Sequence, residues 1–331
     1  MRKLSIGIYF LVCSFIQLSA QEKITVVSSA SMLYDMVENI AGDAIVNELI
    51  VPIGGDPHLY EPTPRDAQKI SKADLIFVNG LTFEGWIIEL IENSGTSASL
   101  DTVTNKVTPM GSTVYKDSYD PHAWMDVSNG LKYITSIKNS LVRVDPKNKE
   151  LYEKNYKTYY EELEELDAYI MKRIQEIPKE KRVLITTHDA FSYYGKRYGL
   201  ELEAVVGIST EAEAQTSDIQ RIIKAIESSG VPAIFIESTI DPKLMKQIAK
   251  DNKVSIGGEL YADSIGGKDS EGNSYYNMLK HNTDAIVSAL SGKGNMSIKE
   301  DQSGSSKTLY ITLASIFLLG MLLLIFKLNK S

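Results

Sequence analysis

Cysteine is almost absent: the 331 residues hold one, Cys13, and it lies in an amino-terminal stretch expected to be removed. Disulfide and thiolate chemistry are thereby excluded from the mature chain. There is no basic excess either, with 35 Lys and Arg against 43 Asp and Glu and a formal net charge of −8. A nucleic-acid binder needs a basic surface to neutralise phosphates, so that class is excluded, whereas a cationic ligand is compatible. Neither a His-Glu-x-x-His helix nor a Gly-x-Ser-x-Gly elbow occurs, which weakens a hydrolase reading. No bias marks disorder, collagen or a multi-span membrane protein, since 43% of residues are hydrophobic and 24% charged. The length leaves room for roughly two domains.

Two segments frame the globular part. Residues 1–20 begin with Arg2 and Lys3, run through an apolar stretch to Leu18 and close with Ser19 and Ala20, the order of a secretory signal peptide. Val12 stands before Cys13 where a lipoprotein signal carries a small residue, so lipid attachment there is not expected. At the other end, residues 308–326 (TLYITLASIFLLGMLLLIF) are long enough to cross ~30 Å of hydrocarbon as a helix. The tail, residues 327–331 with Lys327 and Lys330, is expected to stay in the cytoplasm. Residues 291–307, polar and rich in Gly and Ser, read as a flexible linker. The chain is therefore expected to be exported to the periplasmic or other extracytoplasmic face and anchored in the cytoplasmic membrane by its C-terminal transmembrane helix.

Between these ends, strand-like and helix-like patterns alternate. Strands are expected at 24–28, 46–53, 74–78, 183–187, 203–208 and 233–237, and helices at 64–73, 83–91, 191–198, 217–229, 242–251 and 275–290. Leu33, Met36, Val37 and Ile40 mark one face of a further helix. The alternation argues for an α/β fold of two (β/α) lobes with mainly parallel sheets, at 21–144 and 179–290. The span 145–178 breaks the rhythm. Asp145 reads as an N-cap with Pro146 at the first helical position, and neither Gly nor Pro recurs before Pro178. Tyr152, Tyr156, Tyr159, Leu163, Leu166, Ile170, Ile174 and Ile177 recur at spacings of three and four, on one helical stripe. The stripe predicts one long rigid helix joining the lobes, with a ligand site in the interlobe cleft. A coiled-coil dimer seam is the alternative.

Three of the four histidines share a turn context. His58 lies in VPIGGDPHLYEPTP, His122 in DPHAWMD and His188 in TTHDA, and Asp-Pro-His occurs twice. His58 and His188 follow expected strands, at the carboxyl ends where open α/β sheets place ligands. Neutral imidazoles converging from separate loops make a site for a divalent transition metal such as Zn, Mn, Fe or Ni. A fourth ligand is expected from the Gly-rich segment GGELYADSIG, with Asp263 preferred and Glu259 as the rival. Three imidazoles and one carboxylate close a tetrahedral site, an arrangement for binding, whereas catalysis keeps a position open for water. Asp56, Asp126 and Asp189 are candidates to orient the imidazoles, or else cap turns. His281, flanking the apolar face of the last expected helix, lacks such a turn and is expected not to ligate.

At these residues the chain resembles the metal-binding solute receptors of bacterial zinc/manganese ABC transporters, some of which were first described as adhesins. VPIGGDPHLYEPTPRD, DPHAWMDVSNG, THDAFSYYGKRYGLE, GISTEAEAQTSDI and GGELYADSIG look like that family's motifs in the family's order, over about residues 24–290. The resemblance implies two lobes bridged by one rigid helix, and one metal ligand from each of four loops, at His58, His122, His188 and Asp263. It implies a receptor, not an enzyme. Such a receptor captures zinc and/or manganese, with iron a further option, and delivers it to an ABC-transporter permease in the cytoplasmic membrane; a monomer is expected. Zinc-specialised members often carry a His-rich loop before the second ligand, which residues 113–119 lack, and manganese-specialised members commonly have Glu where His188 stands. Ala214 and Gln215 stand where a proline is expected, which bears only on loop shape. An N-rich donor set favours Zn²⁺ over Mn²⁺ in vitro. The C-terminal membrane helix is unusual for the family. The rival readings are a membrane-anchored metallohydrolase using the same histidines and a surface adhesin, active in cell adhesion, with a structural metal.

Overall fold

Residues 22–111, 118–211 and 213–292 are described by the computed structural model. The expected leader, the linker beyond Gly292, the membrane helix at 308–326 and the tail lie outside the described residues. Among the described residues no helix is long and apolar enough to cross a membrane.

The first half is built on β1 (Thr25–Ser28), α1 (Ser31–Ala41), β2 (Val46–Leu49), α2 (Pro64–Lys72), β3 (Leu75–Val78), α3 (Ile87–Ser94) and β4 (Ser99–Thr102). Its sheet has the order β2-β1-β3-β4, with every pair parallel. Alternate side chains of a strand reach opposite faces, so a parallel sheet covered on both sides needs continuous apolar runs. Val26, Leu75 and Phe77 accordingly enter the main core, while Val27, Ile76 and Val78 enter a smaller one with Ile70 of α2 and Leu90 of α3. β2 is shorter than the expected 46–53. The amides of Ile50 and Val51 still bond the Ser28 and Ser29 carbonyls at 3.0 and 3.1 Å, but Pro52 has no amide proton and stops the ladder. The helix expected at 83–91 begins only at Ile87, because Gly80, Leu81 and Thr82 all have positive φ and residues 81–86 are turns.

β4 and α4 (Val127–Val144) have no counterpart in the sequence-based expectations. Asp126 starts α4 by accepting the Ser128 amide at 2.8 Å. Gly130 inside α4 permits a close crossing: a Cβ there would meet the Tyr275 hydroxyl at 2.3 Å. That hydroxyl donates to the Trp124 carbonyl at 2.6 Å.

Next comes α5 (Lys149–Ile174), whose 26 residues span about 39 Å at 1.5 Å per residue. Asp145 does not cap it as expected. Pro146–Asn148 forms a separate tight turn, and the Asp145 carboxylate accepts from the Asn148 side chain and the Tyr152 hydroxyl at 2.7 and 2.6 Å. The helix also stops short of 178. Proline disfavours helical geometry in the residue before it, and the Glu176 and Ile177 amides fold back onto the Arg173 and Ile174 carbonyls.

The second half comprises β5 (Val183–Thr186), α6 (Ser192–Tyr198), β6 (Glu201–Ala204), α7 (Thr216–Ser229), β7 (Ala233–Glu237), α8 (Lys243–Asp251), β8 (Ser255–Leu260) and α9 (Tyr275–Leu290). β5 pairs with β6 and β7 with β8, both parallel, and β5 neighbours β7. β6 precedes the expected 203–208 because its pairing starts with Glu201 opposite Val183; tertiary partners outweigh local β propensity. α5 packs on α1 and α4 of the first half and on α6 and α9 of the second. Its stripe is thus covered by the chain itself, and one unbroken apolar cluster runs from Val26 through Leu163 to Leu290. An α/β fold with parallel sheets is what the alternation of elements predicts.

Candidate metal centre

Four side chains reach one point from four loops. His58 follows β2, His122 sits before the turn that enters α4, His188 lies just past β5 and Asp263 just past β8. Their donor atoms all lie within 4.8 Å of one another. His58 Nε2 is 3.3 Å from His122 Nε2, which is 3.3 Å from Asp263 Oδ1. His188 Nε2 is 3.2 Å from Asp263 Oδ2, and His58 Nε2 is 4.0 Å from that oxygen. Ligands about 2.0–2.2 Å from a tetrahedral ion stand roughly 3.3–3.6 Å apart; the separations of 3.2 and 3.3 Å are close to that, while His58 stands farther from Asp263, at 4.0 Å. His122, His188 and Asp263 have fully buried side chains, while His58 is 6% exposed and forms the solvent side.

Two carboxylates aim the imidazoles. Asp120 Oδ1 accepts the His122 amide at 2.9 Å and lies 2.7 Å from its Nδ1. Glu237, at the end of β7, accepts the Thr187 and His188 amides at 2.9 Å each with Oε1 and places Oε2 2.6 Å from His188 Nδ1. With Asp120 on Nδ1 of His122 and Glu237 beside Nδ1 of His188, each ring turns its Nε2 toward the cluster, where it can ligate once its proton is lost. Among the described residues, neither oxygen of Asp263, neither ring nitrogen of His188, nor Glu237 Oε2 makes a hydrogen bond of good geometry, although charged partners lie close. Buried polar atoms in that condition are costly unless something else satisfies them, and a divalent cation would engage the Asp263 carboxylate and His188 Nε2 together.

The electrostatics separate the three histidines. Burial pushes His58 down to about 4, against the pull of Asp263, so it stays neutral at physiological pH. Burial also opposes the charged form of His122, but Asp120 and Asp263 outweigh it and raise this group to about 9. His188 likewise rises well above the usual range because Glu237 and Asp263 overcome its burial. Burial would raise Asp263, yet His188 and His122 hold its carboxyl well below the ordinary range. Without metal the cluster is therefore a buried anion between two protonated imidazoles.

His58, His122, His188 and Asp263 are brought together as the sequence predicts. Glu259 is not among them: it lies on β8, exposed to solvent, away from the cluster. Strand alternation and the bend after β8 send Asp263, not Glu259, inward. The three proposed orienting residues all serve turns instead. Asp56 accepts the His58 amide at 2.8 Å and the Thr210 hydroxyl at 2.6 Å. Asp126 caps α4, and Asp189 accepts from Ser192 at 2.5 Å. The orienting groups, Asp120 and Glu237, were missed; the first stands in the repeated Asp-Pro-His, while the second carries no local signal. His281 lies outside the cluster, its ring between Glu271 at 2.9 Å and the Glu259 carbonyl at 3.1 Å.

The family described as ZnuA, zinc-uptake complex component A, periplasmic, matches residues 26–289. A manganese ABC transporter substrate-binding lipoprotein, PsaA of Streptococcus anginosus, is 38% identical over 280 residues, covering 82% of this chain and 90% of its own. The manganese-binding lipoprotein MntA of Halalkalibacterium halodurans is 37% identical over 273 residues, covering 82% of this chain and 89% of its own. Among solved structures, the periplasmic zinc-binding protein TroA of Treponema pallidum aligns with a TM-score of 0.78 at 34% identity, over 81% of this chain and 99% of that one. The Mn-bound periplasmic metal-binding protein from Candidatus Liberibacter asiaticus aligns with a TM-score of 0.75 at 31% identity, over 81% of this chain and 100% of that one.

Proposed function

Because the chain belongs to the periplasmic zinc-uptake component A family, we propose that His58, His122, His188 and Asp263 capture one divalent transition metal outside the cytoplasm for delivery to an ABC-transporter permease. The observation that carries this reading is the convergence of four donors at ligand spacing around the hydrogen-bond-starved Asp263. Asp263 supplies the charge, His58 closes the solvent side, and Asp120 and Glu237 orient His122 and His188 from their Nδ1 sides. A donor set that is already complete leaves no position for a reacting water, which favours a receptor over a metallohydrolase. An adhesin with a structural metal would unfold on chelation; the continuous core through α5 supports a receptor that stays folded. Relatives named for manganese and for zinc make either ion the cargo, with iron a third option. Nitrogen-rich ligation places Zn²⁺ ahead of Mn²⁺ in intrinsic affinity.

We read residues 1–20 as a removed leader, 21–144 and 179–290 as the lobes and 145–178 as the bridge. Residues 291–307 are then the linker, 308–326 a membrane anchor and 327–331 its cytoplasmic tail. The relatives are lipoproteins by name, and a C-terminal anchor would replace their lipid, raising the effective concentration of the loaded receptor at its permease. Metal-stripped protein reloaded from equimolar Zn²⁺ and Mn²⁺ is expected to retain about one ion per chain, mostly zinc, in elemental analysis. The His58→Ala/His188→Ala variant should retain almost none. No stoichiometric ion on the unmodified chain would overturn the reading.

Affinity should also depend on acidity. Metal must displace the proton raised to about 9 on His122 and the one held on His188, whereas His58, pushed down to about 4, gives up none at neutral pH. Binding therefore releases protons, and affinity should fall as pH falls, by roughly tenfold per pH unit for each proton displaced. Chelator competition between pH 5.5 and pH 7.5, on the order of two pH units, measures the slope; a flat profile would contradict it.

A further inference from the structure

His122 and His188 each have a carboxylate on Nδ1, but the His58 ring has no such partner among the hydrogen bonds and ion pairs of the described residues. What touches its flank is Phe83, edge-on with ring centroids 4.9 Å apart. Phe83 is fully buried, packs on Trp124 at 4.7 Å and also reaches His122 at 6.0 Å. The backbone that delivers Phe83 is unusual: Gly80, Leu81 and Thr82 have φ of 84°, 53° and 65° in succession. A left-handed conformation is costly for a leucine and more so for a β-branched threonine, and persists only where surrounding contacts impose it.

The contacts that impose it centre on Glu84, a buried carboxylate with no cation in the salt bridges of the described residues. Its Oε1 accepts from the Ser29 hydroxyl and from the Asn79 amide at 2.7 Å, and its Oε2 accepts the Gly80 amide at 3.1 Å. Asn79 extends the network: its side chain accepts from Tyr133 at 2.7 Å and donates to the Pro121 carbonyl, adjacent to His122, at 3.0 Å. We propose that Glu84 is a positioning residue for the metal centre, holding the left-handed Gly80–Thr82 turn so that Phe83 fixes the imidazole of His58. The strained turn takes the place of the carboxylate that His58 lacks. This rests on the metal-receptor reading above.

Glu84→Gln tests it, because a glutamine of the same shape turns an amide donor toward the Gly80 N–H or else toward Asn79 and Ser29, and the turn loses a partner either way. Zn²⁺ affinity of the full chain, by chelator competition, is expected to fall about 10- to 100-fold, as for other groups that orient ligands. Phe83→Leu, which leaves the Glu84 bonds intact, should cause a loss of the same order, and it carries the test if Glu84→Gln fails to fold. The decisive comparison places each change in a His58→Ala background. Acting through His58, both should then lose their effect, to within about twofold. An equal loss with and without His58, or no loss in the single variants, would overturn the positioning role while leaving the receptor reading intact. Failure of the unmodified chain to bind Zn²⁺ would overturn both.

Discussion

Asp263→Asn is expected to lower Zn²⁺ affinity by more than about 100-fold, beyond the 10- to 100-fold typical of residues that only orient ligands. Among the described residues, Asp263 is the one carboxylate whose oxygens face the Nε2 atoms of His122 and His188, at 3.3 and 3.2 Å. Asparagine keeps the shape but removes the charge, and its amide nitrogen would point a donor at an ion or a protonated ring. The metal-free protein should suffer too, since two buried imidazolium groups lose the anion between them. Chelator competition gives the affinity, and thermal melting of the stripped protein gives the second effect. Glu259→Gln, on the exposed rim of β8, is the matched control and should change neither. Unaltered zinc affinity in Asp263→Asn would mean that the ion binds elsewhere.

The second large effect concerns stability. Leu163→Ala is expected to cost about 2–5 kcal/mol, the range for leucine truncation in a packed core. Leu163 is fully buried near the middle of α5, inside the cluster that continues into both halves. A cavity there weakens the packing of both at once, so denaturant unfolding of the variant should remain a single transition at lower midpoint. Two separated transitions would show that the halves are stabilised independently and that α5 is only a connector. The exposed Glu161, on the same helix, offers a substitution expected to fall within about 0.5 kcal/mol of the parent.

The parts that local pattern could reveal were legible. The stripe on α5, the Asp-Pro-His turns and the alternation of strands with helices are all properties of short windows, and they locate the four converging donors. Position within a window was less secure. β6 is set by its partner across the sheet, and α4 carries little local signal because Gly130, Asn129 and Ser128 in its first turns resemble a loop, although they accommodate Tyr275 and a cap. The two copies of Asp-Pro-His show the limit most sharply. Asp120 reaches both the amide and the ring of its histidine, whereas Asp56 reaches only the amide and turns its other oxygen to Thr210. Identical tripeptides thus do different work because their surroundings differ. Glu237 lies 49 residues from His188, and only the neighbouring of β5 and β7 makes them partners.

The unbroken core along α5 also bears on how cargo leaves. If the halves swung apart as rigid bodies, the apolar cluster would have to be torn open along the helix. Unloading should instead begin at the one donor that water can touch, His58, with the three buried donors surrendering the ion afterwards. The dwell time of the ion is then governed by the displacement of a short loop, and an acceptor need only seize the vacated coordination position to draw the metal out.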